Sequence, residues 1–176
     1  MRKFLTILLV AFCGFVASAH ADELPTLQTP LTLQPALSLA EVPPSLIERA
    51  VGGVQTTLDQ ALELLGIRYR RGGSSPETGF DCSGYVRHVF SESLGLILPH
   101  NAKAISQSGD RVDKTDLLPG DLVFFNTMRH AFSHVGIYLG NDLFVHAPRS
   151  GARVRIEDMT DRYWTRRYDG ARRVQQ

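Results

Sequence analysis

Cys82, His134 and His146 are the residues of this chain whose types and positions suit nucleophilic chemistry. Cys82 stands in "GFDCSGYV", Gly79 to Val86, between Asp81 and Ser83 and just ahead of apolar residues at helical spacing. Asp81 and Ser83 are residues that cap helix starts. The first turn of such a helix presents unpaired N–H groups and the positive end of its dipole to the sulfur. The thiol pKa is therefore expected to fall, favouring the nucleophilic thiolate. The competing readings of a lone cysteine are a small buried hydrophobe, half of a disulfide, or a metal ligand.

A nucleophilic thiol needs a base, and the six histidines separate by position. His20 lies in a small-residue stretch near the start, His88 points away from the apolar helix face, and His100 and His130 fall in loops. His134 and His146 differ, because they lie in two strand-like runs, "HVGIYLG" and "LFVHA", flanking "GND". Side chains alternate along a strand, so His134, Gly136 and Tyr138 share one face while Val135, Ile137 and Leu139 take the other. With Gly140, Asn141 and Asp142 as the loop, Leu139 faces Leu143 and Gly136 faces His146. His134 is then a diagonal neighbour of His146, about 7–8 Å away at the backbone, within reach for two imidazoles. A two-residue loop would put the rings on opposite faces. Gly136 leaves room beside the ring. The arrangement this predicts is a nucleophile (Cys82), a base (His134) and a group orienting the base (His146).

These residues need a scaffold, and its elements are readable. Leu58, Ala61, Leu62 and Leu65 recur at helical spacing and Gly66 follows, predicting a helix that ends there. A glycine-rich loop, "YRRGGSSPETG", leads to a second helix with Cys82, Val86, Val89 and Phe90 on one face. "LLPGD" is a turn that delivers the chain into "LVFF", Leu122 to Phe125, read as a buried strand. Helices first and strands afterwards predict an α+β domain with an antiparallel sheet.

Composition excludes more than it selects. With 19 basic and 18 acidic side chains, nothing points to nucleic acid. Arg2 and Lys3, the apolar run Phe4 to Val16 and the small residues Ala17, Ser18, Ala19 and Ala21 have the order of a secretory signal peptide. The run is too short for a good membrane span, and Phe12 ahead of Cys13 is not the small residue a lipid-anchor site wants. The expected organisation is a signal peptide over 1–21, a Pro-rich tether over 22–44, and one catalytic domain over 45–176. Loss of the leader removes Cys13 and leaves Cys82 without an intramolecular disulfide partner.

At four ordered places the chain resembles the NlpC-type cell-wall cysteine peptidases: "DCSG" at Asp81 to Gly84, "GDLVFF" at Gly120 to Phe125, "HVGIYLG" at His134 to Gly140, and "FVHA" at Phe144 to Ala147. The resemblance runs from about Leu58 to Val174. "YRRGGS", "YWTRRY" and "ARRV" look more narrowly like the Spr-like murein endopeptidases of Gram-negative envelopes. It implies a papain-like fold and a thiolate that attacks a peptide bond of the peptidoglycan stem, in the periplasm, with no cofactor. The bond implied is the D-alanyl to diaminopimelate crosslink, with the D-glutamyl to diaminopimelate bond, or a non-wall amide or acyl substrate, as alternatives. The family pattern assigns Cys82 as nucleophile, His134 as general base and His146 as orienter. Tyr69 would line the groove, and Asp81 and Ser83 would help to hold the stem peptide. One departure stands out: where the family often reads "LPR" before serine or threonine, this chain has Leu98, Pro99, His100 and Asn101, which leaves that subsite's charge preference open.

Two segments carry weaker expectations. The tail Arg162 to Arg173 interleaves arginines with Tyr163, Trp164 and Tyr168, reading either as a wall-polymer contact or as a final strand whose arginines pair with carboxylates. Asn126 to Ser133 lies beside His134 as a flap or a plain loop. Rival functions are a zinc site built from Cys82, His134 and His146, which chelators would inactivate and thiol reagents would not single out, and a wall-binding module without turnover.

Overall fold

A proline at its first position opens helix α1, Pro44–Glu63, in the computed structural model, which describes residues 43–174. Proline suits that position, where its missing N–H would have no helical partner anyway. The expected leader, with Cys13, and nearly all of the expected tether lie outside the described residues. The buried stripe of α1 differs from the expected one. Ala61 and Leu64 are buried and Leu58 half-buried, but Leu62 and Leu65 are exposed. The reason is Thr57, buried at 2% exposure, whose hydroxyl donates to the Gly53 carbonyl and meets the Ser93 hydroxyl at 3.1 Å. A polar residue occupies the inner face, so the true stripe runs 57, 61, 64.

After a short antiparallel pair, β1 (Ser74–Ser75) and β2 (Gly79–Phe80), comes helix α2, Cys82–Leu94. It is capped by Asp81 and stopped by Gly95 at φ 67°, a left-handed conformation that glycine adopts without steric cost. Tyr85, Val86, Val89 and Phe90 are its buried face, and the Tyr85 hydroxyl donates to the Ala61 carbonyl at 2.8 Å, tying α2 to α1. Helix α3, Ala102–Ile105, follows, capped by the Asn101 carboxamide, which accepts from Ala104 N–H. The departure at His100 and Asn101 thus supplies a helix cap.

Six strands form one antiparallel sheet: β3 (Asp110–Val112), β4 (Leu122–Phe125), β5 (His134–Gly140), β6 (Leu143–His146), β7 (Arg155–Asp158) and β8 (Tyr168–Arg173), in the order β3-β8-β4-β5-β6-β7. Helices α1 to α3 cover one face through Leu122, Phe124, Val135, Ile137 and Val145. Val123, Phe125, Tyr138 and Phe144 face the other way and pack with Met159, Ala171 and Trp164 of helix α4, Arg162–Thr165. Both faces of β4 are covered, which is why "LVFF" is apolar at every position. The α+β class is as expected. The tail becomes a strand, as one reading held, though β8 lies inside the sheet between β3 and β4 rather than at its edge. Arg173 pairs with Asp121 at 2.7 Å, and buried Arg172 donates to the Ser106 carbonyl.

The β5–β6 hairpin reaches the expected pairing by a different route. Asn141 and Asp142, at φ 51° and 60°, make a two-residue turn closed by Gly140 opposite Leu143. Asn and Asp tolerate these angles, and the tight turn matches strand twist. A two-residue turn alone would have set the histidines on opposite faces. A bulge at Leu139 takes up the odd residue, and beyond it Tyr138 faces Phe144 and Ile137 faces Val145, the predicted register.

Candidate active site

The start of α2 is clasped by the glycine-rich loop. Asp81 Oδ1 accepts from Gly84 N–H at 2.7 Å and from the Ser83 hydroxyl at 3.0 Å, while Oδ2 accepts from Gly72 N–H at 2.9 Å. Asp81 N–H in turn donates to the Gly73 carbonyl at 3.0 Å. Cys82, the one cysteine among the described residues and half-buried, is held where this loop meets the helix. Its surroundings oppose the expected lowering of the thiol pKa. Burial, then the Asp81 carboxylate, push its pKa up to about 11, against N–H groups of Val135, Ser83 and Cys82 itself that pull it down. Desolvation outweighs the helix dipole, so the proton rests on sulfur until a base removes it.

The base is at hand. His134, the first residue of β5, and His146, the last of β6, project to the same face, with His134 Nε2 at 2.6 Å from His146 Nδ1. Both are buried, at 3% and 0% exposure. Gly136 is needed between them: a Cβ there would lie 2.7 Å from the Phe144 ring and 3.2 Å from His146 Cβ. Trp164 stacks on the His134 ring at 5.7 Å and meets His146 edge-on at 5.1 Å. Burial holds His134 well below the ordinary 6.5, with His146 adding to the effect and Glu157 opposing it. Burial also lowers His146, against Glu157. Burial therefore favours the neutral form of both rings. His134 Nε2 is committed to His146, so Nδ1 is the ring nitrogen left outside that bond.

Cys82, His134 and Tyr69 line one open cleft of about 1160 Å³, with Met128, Trp164 and Arg155 among its other walls. Tyr69 is half-buried beside the thiol; burial, then the charges of Cys82 and Asp81, raise its hydroxyl pKa. Asp81 and Ser83 do not line the cleft. The Asp81 carboxylate is taken up by its three donors, and the one hydroxyl proton of buried Ser83 is shared between Asp81 and the His100 carbonyl, 3.2 Å away. The loop 126–133 contributes Thr127, Met128 and Ser133 to the cleft. It is pinned by Ser133 Oγ, which accepts from the N–H groups of Thr127 and Met128. Among the described residues no group of three or more His, Cys, Asp or Glu side chains has the placement to hold a metal ion.

Glu157 escaped the sequence reading. It lies on β7, where Arg155 faces His146 and Glu157 faces Phe144, so it is a diagonal neighbour of His146 on the same sheet face. Its Oε2 stands 3.4 Å from His146 Nε2. At 3.4 Å the contact is long for a hydrogen bond, but among the described residues nothing else meets this buried nitrogen, so the carboxylate is the acceptor that His146 Nε2 faces. Trp164 Nε1 donates to the same oxygen, and the Arg155 guanidinium holds Oε1.

Two neutral buried imidazoles make the fold acid-sensitive. Below pH 6.5 the unfolded chain takes up protons that the folded site refuses, so this part of the stability is present above 6.5 and is lost as pH falls. Each pH unit below 6.5 costs about 1.4 kcal/mol per imidazole until the folded pKa is reached. The expected result is a melting temperature level between pH 8 and 7 that declines from pH 6.5 downward, with the decline flattened in a His134→Gln, His146→Gln double variant. An equal decline in that variant would assign it to other groups.

The family model described as the NlpC/P60 family matches residues 66–173. The chain is 36% identical over 140 residues to the murein DD-endopeptidase MepH of Escherichia coli (strain K12), a match that spans 78% of this chain and 51% of the relative. It is 44% identical over 117 residues to the murein DD-endopeptidase MepS/murein LD-carboxypeptidase of the same strain, spanning 66% of this chain and 61% of the relative. In three dimensions it is similar to an NlpC/P60 family protein from Bacillus cereus, with a TM-score of 0.64 at 31% identity, over 68% of this chain and 39% of that one. The chain thus spans about half to three fifths of the length of these curated relatives.

Proposed function

The chain belongs to the NlpC/P60 family, and from that premise we propose that it is a cysteine-type peptidoglycan endopeptidase acting on stem peptides that contain diaminopimelate. The observation that carries this reading is the meeting of Cys82 and His134 in one cleft, with His134 Nε2 bonded to His146 Nδ1 at 2.6 Å.

The resting protonation states fit a concerted attack. Cys82 Sγ forms a bond to the scissile carbonyl carbon as its proton passes to His134 Nδ1, and His146 holds the ring in line. The oxyanion that results lies over the start of α2, where backbone N–H groups and the helix dipole favour negative charge. Collapse of the intermediate breaks the C–N bond and hands the proton from His134 to the leaving amine, leaving a thioester. Water, deprotonated by His134, then cleaves the thioester and restores the thiol. Tyr69 is a wall of the substrate groove. Asp81 and Ser83 act on the peptide through the loop and helix end that they hold together.

The bond we assign is the D-alanyl to diaminopimelate crosslink, a reading supported by the DD-endopeptidase activity named for the murein relatives. The place is the periplasm, reached by a leader over 1–21 and a tether over 22–44, with the catalytic domain over 45–176. Incubating the protein with purified sacculi under reducing conditions and separating the muropeptides tests this. Crosslinked dimers are expected to fall and monomers to rise. Persistent dimers with monomers cut at diaminopimelate would assign the D-glutamyl bond instead, and unchanged muropeptides would refute wall hydrolysis.

A further inference from the structure

Three neighbouring strands place three polar side chains in a diagonal line on one sheet face. His134 on β5 is diagonal to His146 on β6, and His146 is diagonal to Glu157 on β7. We infer that Glu157 is a positioning residue that sets the tautomers of both histidines and offsets the charge that develops on them, so that His134 Nδ1 is free to accept the thiol proton. This rests on the proposed nucleophile and base, and on nothing about the substrate.

The argument follows the protons. A carboxylate only accepts, so the His146 nitrogen that faces Glu157 Oε2, Nε2 at 3.4 Å, carries the hydrogen. His146 Nδ1 is then a bare acceptor, and its neighbour at 2.6 Å, His134 Nε2, must be the donor. A neutral imidazole has one N–H, so His134 Nδ1 is left with its lone pair. The opposite tautomer would present an N–H to the sulfur and leave no base, the failure that a wrong tautomer produces in serine triads. Glu157 is itself fixed, Oε1 by Arg155 and Oε2 by the Trp164 indole. It is also ionised: burial raises its pKa, but His146 and Arg155 outweigh that and bring it to about 2.

When the thiol proton moves to His134, a positive charge appears in a buried ring pair. The charged groups that act on that pair are Glu157 and Arg155 on β7, and Cys82, at the start of α2, shares the cleft wall with His134. Of these, Glu157 is the carboxylate that acts directly on both histidines. The sequence offers a weak sign of it, since "RIED" has no apolar alternation and its pairing with β6 spans a loop.

The test reads the site without a wall substrate. Nitrogen-15 NMR of the full chain labelled at histidine is expected to show His146 protonated at Nε2 and bare at Nδ1, and His134 protonated at Nε2. A proton on His146 Nδ1 in the unmodified protein overturns the inference, whatever any variant does. Alkylation of Cys82 by iodoacetamide, followed by mass spectrometry on the peptide that carries it, is expected to slow about tenfold in Glu157→Leu, in line with the loss of other carboxylates that orient histidines. The loss should be largest near neutral pH and vanish where the thiol ionises unaided, because the imidazole that drains it has lost its counter-charge. Glu157→Gln, which keeps the shape and loses the charge, should show the same pH-dependent loss if Leu proves too disruptive to fold. Reactivity and tautomers unchanged in both variants overturn the inference. If alkylation responds as expected but sacculi are never cut, the relay stands and the substrate assignment falls.

Discussion

Cys82→Ser should lower turnover on crosslinked sacculi by roughly 10⁴-fold or more, the scale on which nucleophile knockouts fall in comparable hydrolases, while the melting temperature stays within a degree or two. The two side chains are nearly the same size, and Cys82 lines the cleft at the margin of the core, so packing survives. What changes is acidity. Burial already holds the thiol at about 11, and a serine hydroxyl in the same place is a much weaker acid still. His134, whose basicity burial has reduced, is matched to a thiol and not to an alcohol. Turnover within tenfold of the unmodified protein would remove Cys82 from the chemistry.

The largest loss of stability should come from one methyl group, in Gly84→Ala. A Cβ at Gly84 would stand 2.0 Å from the Gly73 carbonyl oxygen, and Gly73 is itself hemmed in, with its own Cβ position 2.2 Å from the Gly79 carbonyl oxygen. These are backbone atoms, so no rotamer change relieves the contact. The loop must move off the helix, which breaks the bonds from Gly72 and Asp81 that clasp the two together. We expect a cost of about 4 kcal/mol or more, in the range kept for overpacking and lost caps, equivalent to about 10 °C or more in melting temperature. Thermal unfolding followed by circular dichroism measures it. A near-native midpoint would mean that the loop is not held as described.

Legibility in the sequence followed the strength of local rules. Strand alternation has a period of two and places His134 and His146 on one face once turn and bulge together set the offset. The cap at Asp81 and the buried run "LVFF" were readable for similar reasons, each being a short-range signal. The α1 stripe was misjudged because Thr57, polar by type, is buried through hydrogen bonds that span the gap to α2. The balance at the thiol is not legible, because the helix dipole is visible in sequence and desolvation is not. Glu157 was missed because its position opposite β6 depends on where β7 docks, a long-range pairing with no sequence period to announce it.

The bulge at Leu139 restricts how this hairpin can vary during evolution. The tight turn at Asn141 and Asp142 and the bulge form a matched pair, each correcting the other's parity. Inserting or deleting one residue at the tip acts on β6 as a frameshift acts on codons: every downstream side chain exchanges inside for outside, and His146 leaves the face it shares with His134. Length changes in steps of two, or single changes that create or erase a bulge, preserve the frame. Genetic drift in this loop is therefore quantised by the geometry of the strand behind it.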